Sequence, residues 1–554
     1  DKLSPLQHQL TSIRRDAEER DAERRAKKLG HPYVDLRKVP ISIEALRLVP
    51  EAEAKSARLA AIEIKLQEVA VAAYDTELEE AKKILQGLEA KNFKLKLFIA
   101  SDSGLEQAWH FYKFIPAEAK EITGKMEIGQ SRFEELLKEL TTFEAVQAEL
   151  EKVDFKKAST TTLFEVILAG ALANRASDIH CEAEDKKAKV RYRIDGLLHD
   201  IFGTIPLHNY DALISRIKLL SGLKLNVHSE PQDGRFTIDL PKKEVEMRIS
   251  IIPSEFGETV VMRVLDPDSI NVDLQSLGLR EDDLQIIERE LARPNGLVLN
   301  TGPTGSGKTT TLYAFLRHVL TSEIKIITVE DPIEYRVEGV EQTQVDAEAG
   351  YTFASGLRSI LRQDPDVILI GEIRDQETAD IALQASLTGH LVFSTLHTND
   401  AVGAVPRLMD LGVRPTTIGP ALTLVIAQRL VRRLCMACRK PKEPTAGEKE
   451  KLKKFLASLP ARVNRENYKS ITLYEPVGCL ECNKLGYKGR IGIMELLPIT
   501  PEMAETILKD ASWVAIKKLA ATDMVSMQAD GILKTLKGVT NFAEVEEITG
   551  KISW

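Results

Sequence analysis

The residues best able to do chemistry are Gly302, Pro303, Thr304, Gly305, Ser306, Gly307, Lys308 and Thr309, followed by Thr310. They fit the G-x-x-x-x-G-K-[ST] spacing. Its glycines let backbone N–H groups turn inward around phosphate oxygens, its lysine neutralises their charge and its hydroxyl ligates Mg²⁺. Such a loop needs a strand before it and a helix after it. Here the apolar run Gly296–Leu299 precedes it and TTLYAFLRHVL opens a helix whose N-terminus adds a favourable partial charge. Gly302 through Thr310 are therefore the expected nucleotide cradle, with Lys308 as phosphate cation and Thr309 as Mg²⁺ ligand.

Three more apolar runs end in polar clusters. Ile326–Val329 leads into Glu330-Asp331-Pro332-Ile333-Glu334, and carboxylates just past a parallel strand face the crevice where ligands bind in open α/β sheets. They could hold Mg²⁺ or orient an attacking water; standing alone, the segment reads as an ordinary acidic loop. Val367–Ile370 leads into Gly371-Glu372-Ile373-Arg374-Asp375, where Gly371 replaces the aspartate usual on a metal-side strand. That leaves Glu372 as the nearest carboxylate, expected to reach Mg²⁺ through water. Leu391–Leu396 leads into His397-Thr398-Asn399. A lone histidine is usually structural, but its position after a fourth strand makes His397 the candidate γ-phosphate sensor, ahead of His390 at the strand's start.

Four of the five cysteines form two C-x-x-C pairs, Cys435/Cys438 and Cys479/Cys482, separated by 40 residues. Two close thiolate pairs can complete a tetrahedral Zn²⁺ site, and with all four positions filled no place remains for a reactive water, so the zinc would be structural. Disulfides are not expected in a cytosolic chain. Cys181 has no partner and reads as a core or loop cysteine.

Positioning these segments requires a parallel sheet: GLVLN, KIITV, VILIG and HLVFS are short apolar runs separated by helical patterns, as in a sheet covered on both faces. Upstream, LFEVILAGALANR (163–175) has helical spacing, while KVRYRID, EVEMRISI and ETVVMRVL alternate as half-buried strands, the last two joined by the turn-rich PSEFG. At roughly 100 to 200 residues per domain, 554 residues imply about three or four domains. The expected division is a charged, solvated helical arm (1–29), a small α+β domain (30–115), a polar helical linker (116–159), an α+β domain (160–270), a linker (271–282) and an α/β domain (283–554) with a cysteine insertion (435–482). The net charge of −8 and the interleaving of both signs argue against a dedicated nucleic-acid binder. No apolar run approaches the roughly 18 residues that span a bilayer. Composition thus points to a cytosolic multidomain protein without a secretory signal, and the opening Asp1 to a trimmed N-terminus.

The four strand-end segments, with Ala176-Ser177-Asp178-Ile179-His180 and Pro231-Gln232-Asp233-Gly234-Arg235 upstream, resemble the Walker A, Asp-box, Walker B and His-box regions of the secretion ATPase superfamily, specifically its type IV pilus assembly (PilB-like) and type II secretion branch. The resemblance runs nearly continuously from about residue 160 to the C-terminus, and the more diverged Leu29–Leu36 is similar to the branch's N-terminal domain. It implies a homohexameric, cytoplasmic motor docked at the inner membrane. In it a PAS-like domain (160–270) and a RecA-like ATPase domain (283–554) close on ATP, and a platform protein of the inner membrane is the partner. It also implies roles: Glu334, last of the Asp box, as the catalytic base; Glu372 on the Mg²⁺ side; Arg248 and Arg263 as arginine fingers; Arg358, Arg362 and Arg374 as coupling or interface groups. A tetracysteine zinc site belongs to the assembly branch.

The segment around IMELLPIT and the long inter-cysteine insertion favour pilus assembly over the alternative, a type II secretion motor driving export. A DNA-translocating or conjugative ATPase would need a basic channel, which the acidity speaks against. Cyclic di-GMP binding is not expected, because Lys27-Lys28-Leu29-Gly30 stands where an Arg-Leu-Gly signature would be.

Overall fold

The computed structural model describes residues 5–65, 68–90, 93–114, 125–126, 130–155, 160–241, 243–269, 272–469 and 471–554. Parts of the expected linkers (116–124, 127–129, 156–159 and 271) lie outside the described residues, as do 1–4 of the arm and boundary residues 115 and 270. The chain divides into two compact units, one formed by Asp1–Ile194 and Leu198–Val264, the other by Asp195–Leu197 and Leu265–Trp554. No helix among the described residues is long and apolar enough to cross a membrane.

The first unit opens with helix Pro5–Leu29. Its dense charge predicts a solvated arm throughout, but its last turns are docked: Ala22 and Ala26 are buried. Glu19 accepts hydrogen bonds from the Tyr33 hydroxyl (2.6 Å) and Ser101 Oγ (2.8 Å), and Arg25 donates to the Ala100 carbonyl (3.2 Å). Two alanines four residues apart share one helix face, so a narrow strip can lie flat on the domain while the charges around it stay wet. Beneath it is a three-stranded sheet of β1 (Leu59–Lys65), β2 (Glu68–Ala73) and β3 (Lys94–Ile99), with β2 central, antiparallel to β1 and parallel to β3. β2 is buried continuously over Val69–Ala73, because a central strand covered on both faces tolerates no polar position.

A second, seven-stranded sheet follows, formed by β4 (Lys125–Met126), β5 (Asp178–Ala183), β6 (Lys187–Ile194), β7 (Leu197–Pro206), β8 (Gln232–Leu240), β9 (Lys243–Ser254) and β10 (Gly257–Leu265) in the order β4-β8-β9-β10-β5-β6-β7. Its strands alternate as their sequences require: Val190, Tyr192, Met247, Ile249, Val260 and Met262 enter the core, against helices Thr160–Ala173 and Leu207–Leu220. The stretch expected to be a linker behaves differently. Helices Gln130–Glu139 and Phe143–Glu151 bury Phe133, Leu136, Leu140, Val146 and Leu150 in this same core. Phe133, Leu136 and Leu140 recur at helical spacing, a narrow apolar stripe that the polar composition conceals. Gly170 permits the contact, since a Cβ there would stand 2.8 Å from Val146 and 2.9 Å from the Tyr192 hydroxyl.

The second unit is built on a seven-stranded sheet of β11 (Gly296–Thr301), β12 (Ile326–Glu330), β13 (Glu341–Gln344), β14 (Val367–Ile370), β15 (Leu391–Leu396), β16 (Leu422–Leu434) and β19 (Tyr487–Pro498). The order is β13-β12-β14-β15-β11-β16-β19, parallel except for β19. Apolar cores form on both faces, one including helix Lys308–Val319, the other helices Phe353–Ile360 and Gln376–Leu387. A small pair, β17 (Lys440–Lys442) and β18 (Leu473–Glu475), lies in the inter-cysteine insertion. That insertion has its own helix, Ala446–Ser458, and packs Leu452, Val463 and Tyr468 against Ile532 and Leu533 of helix Met527–Leu536. A buried ion network reinforces the joint: Arg280 contacts Asp283 (2.7 Å) and Asp530 (2.8 Å), and Arg462 of the insertion reaches Asp283 (2.8 Å). Each charge there has partners on several sides, the condition under which burying it is tolerated.

Candidate nucleotide site and cysteine centre

The register of the parallel strands assembles the site. Thr301 of β11 pairs with Leu396 of β15, Ile370 of β14 with Ser394, and Val329 of β12 with Ile370, so the phosphate loop and the Glu330–Glu334, Gly371–Asp375 and His397–Asn399 segments emerge from the same sheet end. Lys308 begins helix Lys308–Val319, and Gly307, at φ 87°, is its N-cap. Only glycine fits here. A Cβ at Gly307 would stand 2.9 Å from Gln428 Nε2, and one at Gly302 would stand 2.5 Å from the Gln428 carbonyl oxygen. Gln428 braces the loop from behind, its Oε1 accepting from Asn300 Nδ2 (3.1 Å) and Thr311 Oγ1 (2.8 Å).

Lys308 Nζ donates to the carbonyls of Gly302 (2.8 Å) and Pro303 (3.1 Å), so the ammonium folds back over its own loop. Burial lowers its pKa, an effect opposed by the Glu372 carboxylate and increased by the Arg429 guanidinium. Thr309 is exposed at the loop's rim and Thr310 is half-buried beside it.

Glu372, Arg374 and His397 form one cluster. Arg374 Nη2 donates to Glu372 Oε1 (2.5 Å), His397 Nε2 lies 3.2 Å from Glu372 Oε2, and Arg374 Nη1 reaches Asp331 Oδ2 (3.4 Å). Burial alone would raise the Glu372 pKa, but the hydrogen bond and charge of Arg374, helped by His397, hold it below the usual value, so the carboxylate is ionised near neutrality. Its oxygens are hard donors suited to Mg²⁺ or to a water bound on it, as is the Thr309 hydroxyl. Glu334 is half-buried on the loop between β12 and β13.

Glu330 has a different position from the rest of its acidic cluster. It is buried and accepts from the Tyr313 hydroxyl (2.5 Å), Thr328 Oγ1 (2.7 Å) and Gln342 Nε2 (3.1 Å), tying the phosphate-loop helix to β12 and β13. With its oxygens so engaged it braces the site. Sequence reading missed this bracing and missed Gln428 and Arg429; the signal was a Gln-Arg pair closing the otherwise apolar Leu422–Ala427 run.

Arg248 and Arg263 lie in the first unit, on the polar faces of β9 and β10. Arg248 Nε is 3.3 Å from Glu246 Oε1, and Arg263 Nε donates to Asp178 Oδ1 (3.0 Å). Arg358 pairs with Glu377 (2.5 Å), and Arg362 donates to the Arg358 carbonyl (2.9 Å).

The four cysteines converge, with all four sulfurs within 4.8 Å of one another. Cys435 to Cys479 is 3.9 Å, and Cys438 and Cys479 each lie 3.8 Å from Cys482. A tetrahedron with zinc–sulfur bonds of about 2.3 Å has edges of about 3.8 Å, so the sulfurs fit such an ion. Burial drives the Cys435 thiol up to about 12. At Cys482 burial acts the same way, but N–H donation from Cys479 (3.2 Å) and Gly486 (3.2 Å) outweighs it and brings the thiol down to about 7. Backbone donors aimed at sulfur are the partners a thiolate ligand needs.

Comparison with known proteins agrees with this geometry. The sequence profile of the type II/IV secretion system protein family matches residues 154–547. The type IV pilus assembly ATPase PilB of Myxococcus xanthus is 37% identical over 528 residues, 94% of this chain and 89% of its own. The type II secretion system protein E of Pectobacterium carotovorum subsp. carotovorum is 44% identical over 390 residues, 70% of this chain and 75% of its own. Among solved structures, the Legionella pneumophila ATPase DotB superposes with a TM-score of 0.51 at 22% identity, covering 71% of this chain and 96% of that one, a likeness of fold. Phosphate loop, strand-end carboxylates and matched length converge on one assignment: the chain belongs to the type II/IV secretion system protein family, a family of secretion and pilus ATPases.

Proposed function

We propose that this chain is a cytoplasmic motor ATPase that drives type IV pilus assembly. The observation that carries the reading is the reach of the match: the pilus-assembly relative aligns over 94% of the chain, whereas the type II secretion relative aligns over 70%. The second reading, a motor for type II protein export, is favoured by the higher identity of that shorter match, 44% against 37%. Both use the same chemistry.

ATP phosphates sit on the N–H groups of the phosphate loop, with Lys308 leaving its carbonyl contacts to neutralise them. Thr309, and Glu372 through water, would hold Mg²⁺, which would offset phosphate charge. Glu334 accepts the proton of the attacking water. Its half-buried place beyond β12 supports that role, and Glu330, already engaged, is not a candidate. His397, coupled to Glu372, senses the γ-phosphate. Arg248 and Arg263 of the PAS-like domain (160–270) act as arginine fingers for the RecA-like domain (283–554), a role that raises turnover by about 10³ to 10⁵ where it operates. Six copies form a ring, the N-terminal domain docks it to an inner-membrane platform protein, and Cys435, Cys438, Cys479 and Cys482 hold a structural zinc. In cells, a Glu334→Gln allele is expected to remove surface pili while protein export continues. Lost export with intact pili would overturn the pilus reading in favour of the second.

A further inference from the structure

Pairing with β11 accounts for only half of β16. Beyond the pair Thr301–Ala427 the strand continues behind the phosphate loop, and Gln428, Arg429 and Leu430 form the loop's back wall. A Cβ at Gly302 would stand 3.2 Å from Arg429 Nη1, and one at Gly307 would stand 3.4 Å from Leu430. Gln428 is satisfied within the wall. Arg429 is satisfied at one end only: Nη2 donates to Asn399 Oδ1 (3.2 Å), while Nη1 is buried and meets no acceptor among the described residues. Those residues also offer Arg429 no carboxylate within ion-pair distance, unlike Arg374 or Arg432.

A buried guanidinium N–H without a partner bears the full desolvation cost with nothing to offset it. Here the unused donor lies beside Gly302, the glycine whose carbonyl holds Lys308 Nζ at 2.8 Å, so two cations flank Gly302. Such a pair repels unless an anion lies between them, and a polyphosphate has enough oxygens to meet both. The guanidinium's planar fork also lets one nitrogen keep a protein anchor while the other takes a phosphate oxygen.

We propose that Arg429 is a second phosphate-binding residue of the nucleotide site, its Nη1 taking a phosphate oxygen of the bound nucleoside triphosphate while Nη2 remains on Asn399. This rests on the nucleotide reading of the loop and extends it. Because Asn399 follows His397, the same guanidinium ties the bound phosphate to the β15 loop that carries the candidate sensor.

The test titrates the purified full-length chain with ATP and, separately, with inorganic tripolyphosphate. Arg429→Gln is expected to weaken both by at least about tenfold, the order expected for one lost charge-assisted hydrogen bond. Arg429→Lys, which keeps the charge but not the fork, is expected to recover part of the loss, and Asn399→Ala to fall between Arg429→Lys and wild type. Arg429→Gln with wild-type affinity for both ligands overturns the proposal. Should that variant fail to fold, Arg429→Lys decides, and unchanged ATP affinity in it overturns the proposal equally. Wild-type protein that binds neither ligand would instead overturn the nucleotide reading itself.

Discussion

The phosphate site and the cysteine centre belong to the same unit and are built on opposite principles. The phosphate site draws on β11, β12, β14, β15 and β16, residues 128 positions apart in the case of Asn300 and Gln428, and it exists only because the parallel sheet brings those strand ends together. Much of what it offers a ligand is backbone N–H and a lysine parked on its own loop's carbonyls. The cysteine centre needs two local turns and four side chains that converge on one point. Topology makes an open, exchangeable site; local turns make a closed one. The first suits a ligand that comes and goes, and the second suits an ion that stays.

Three perturbations would break or sharpen that contrast. Lys308→Ala should have the largest effect, lowering kcat/KM for ATP on the order of 10² to 10³ fold with little change in melting temperature, since its ammonium contacts two carbonyls of its own loop and not the apolar core. Removing the proposed zinc with a chelator, or replacing Cys435 and Cys479 by Ser, should do the reverse: a melting temperature lower by roughly 5–10 °C with ATP affinity within about twofold. Equal damage to both properties would mean the two centres are not independent. Smallest is a glycine pair inside the loop. Gly307→Ala meets Gln428 at 2.9 Å as well as a positive φ, whereas Gly305→Ala, at φ 78° with nothing within 4 Å, carries only the backbone penalty. Thermal melts should show the first destabilised by about 1–3 kcal/mol and the second by about 1 kcal/mol.

How much was legible in the sequence follows the same division. The parallel sheet and its strand-end segments could be read because each strand is a short apolar run ending in a distinctive polar cluster, as at Val329–Glu330 and Ile370–Glu372. The α/β class followed from them, and the RecA-like assignment from the family resemblance that those segments carry. Features that depend on a neighbour's surface could not. Helices Gln130–Glu139 and Phe143–Glu151 looked like a linker because their buried stripe is one residue wide, and nothing local announces that Gly170 leaves room for Val146. The docked end of Pro5–Leu29 rests on two alanines hidden among charges. Glu330 and Glu334 are indistinguishable as letters, and only the donors around Glu330 show it to be a bracing carboxylate. Arg429 escaped notice because its importance lies in what Gly302 lacks.

The central claim is that this strand-end site hydrolyses ATP with Glu334 as the base, and one variant tests it most directly. Purified Glu334→Gln should bind ATP within about twofold of wild type while phosphate release falls by on the order of 10² to 10⁴ fold, because the amide keeps the side chain's size but cannot take the water's proton. Hydrolysis at the wild-type rate in that variant would contradict it.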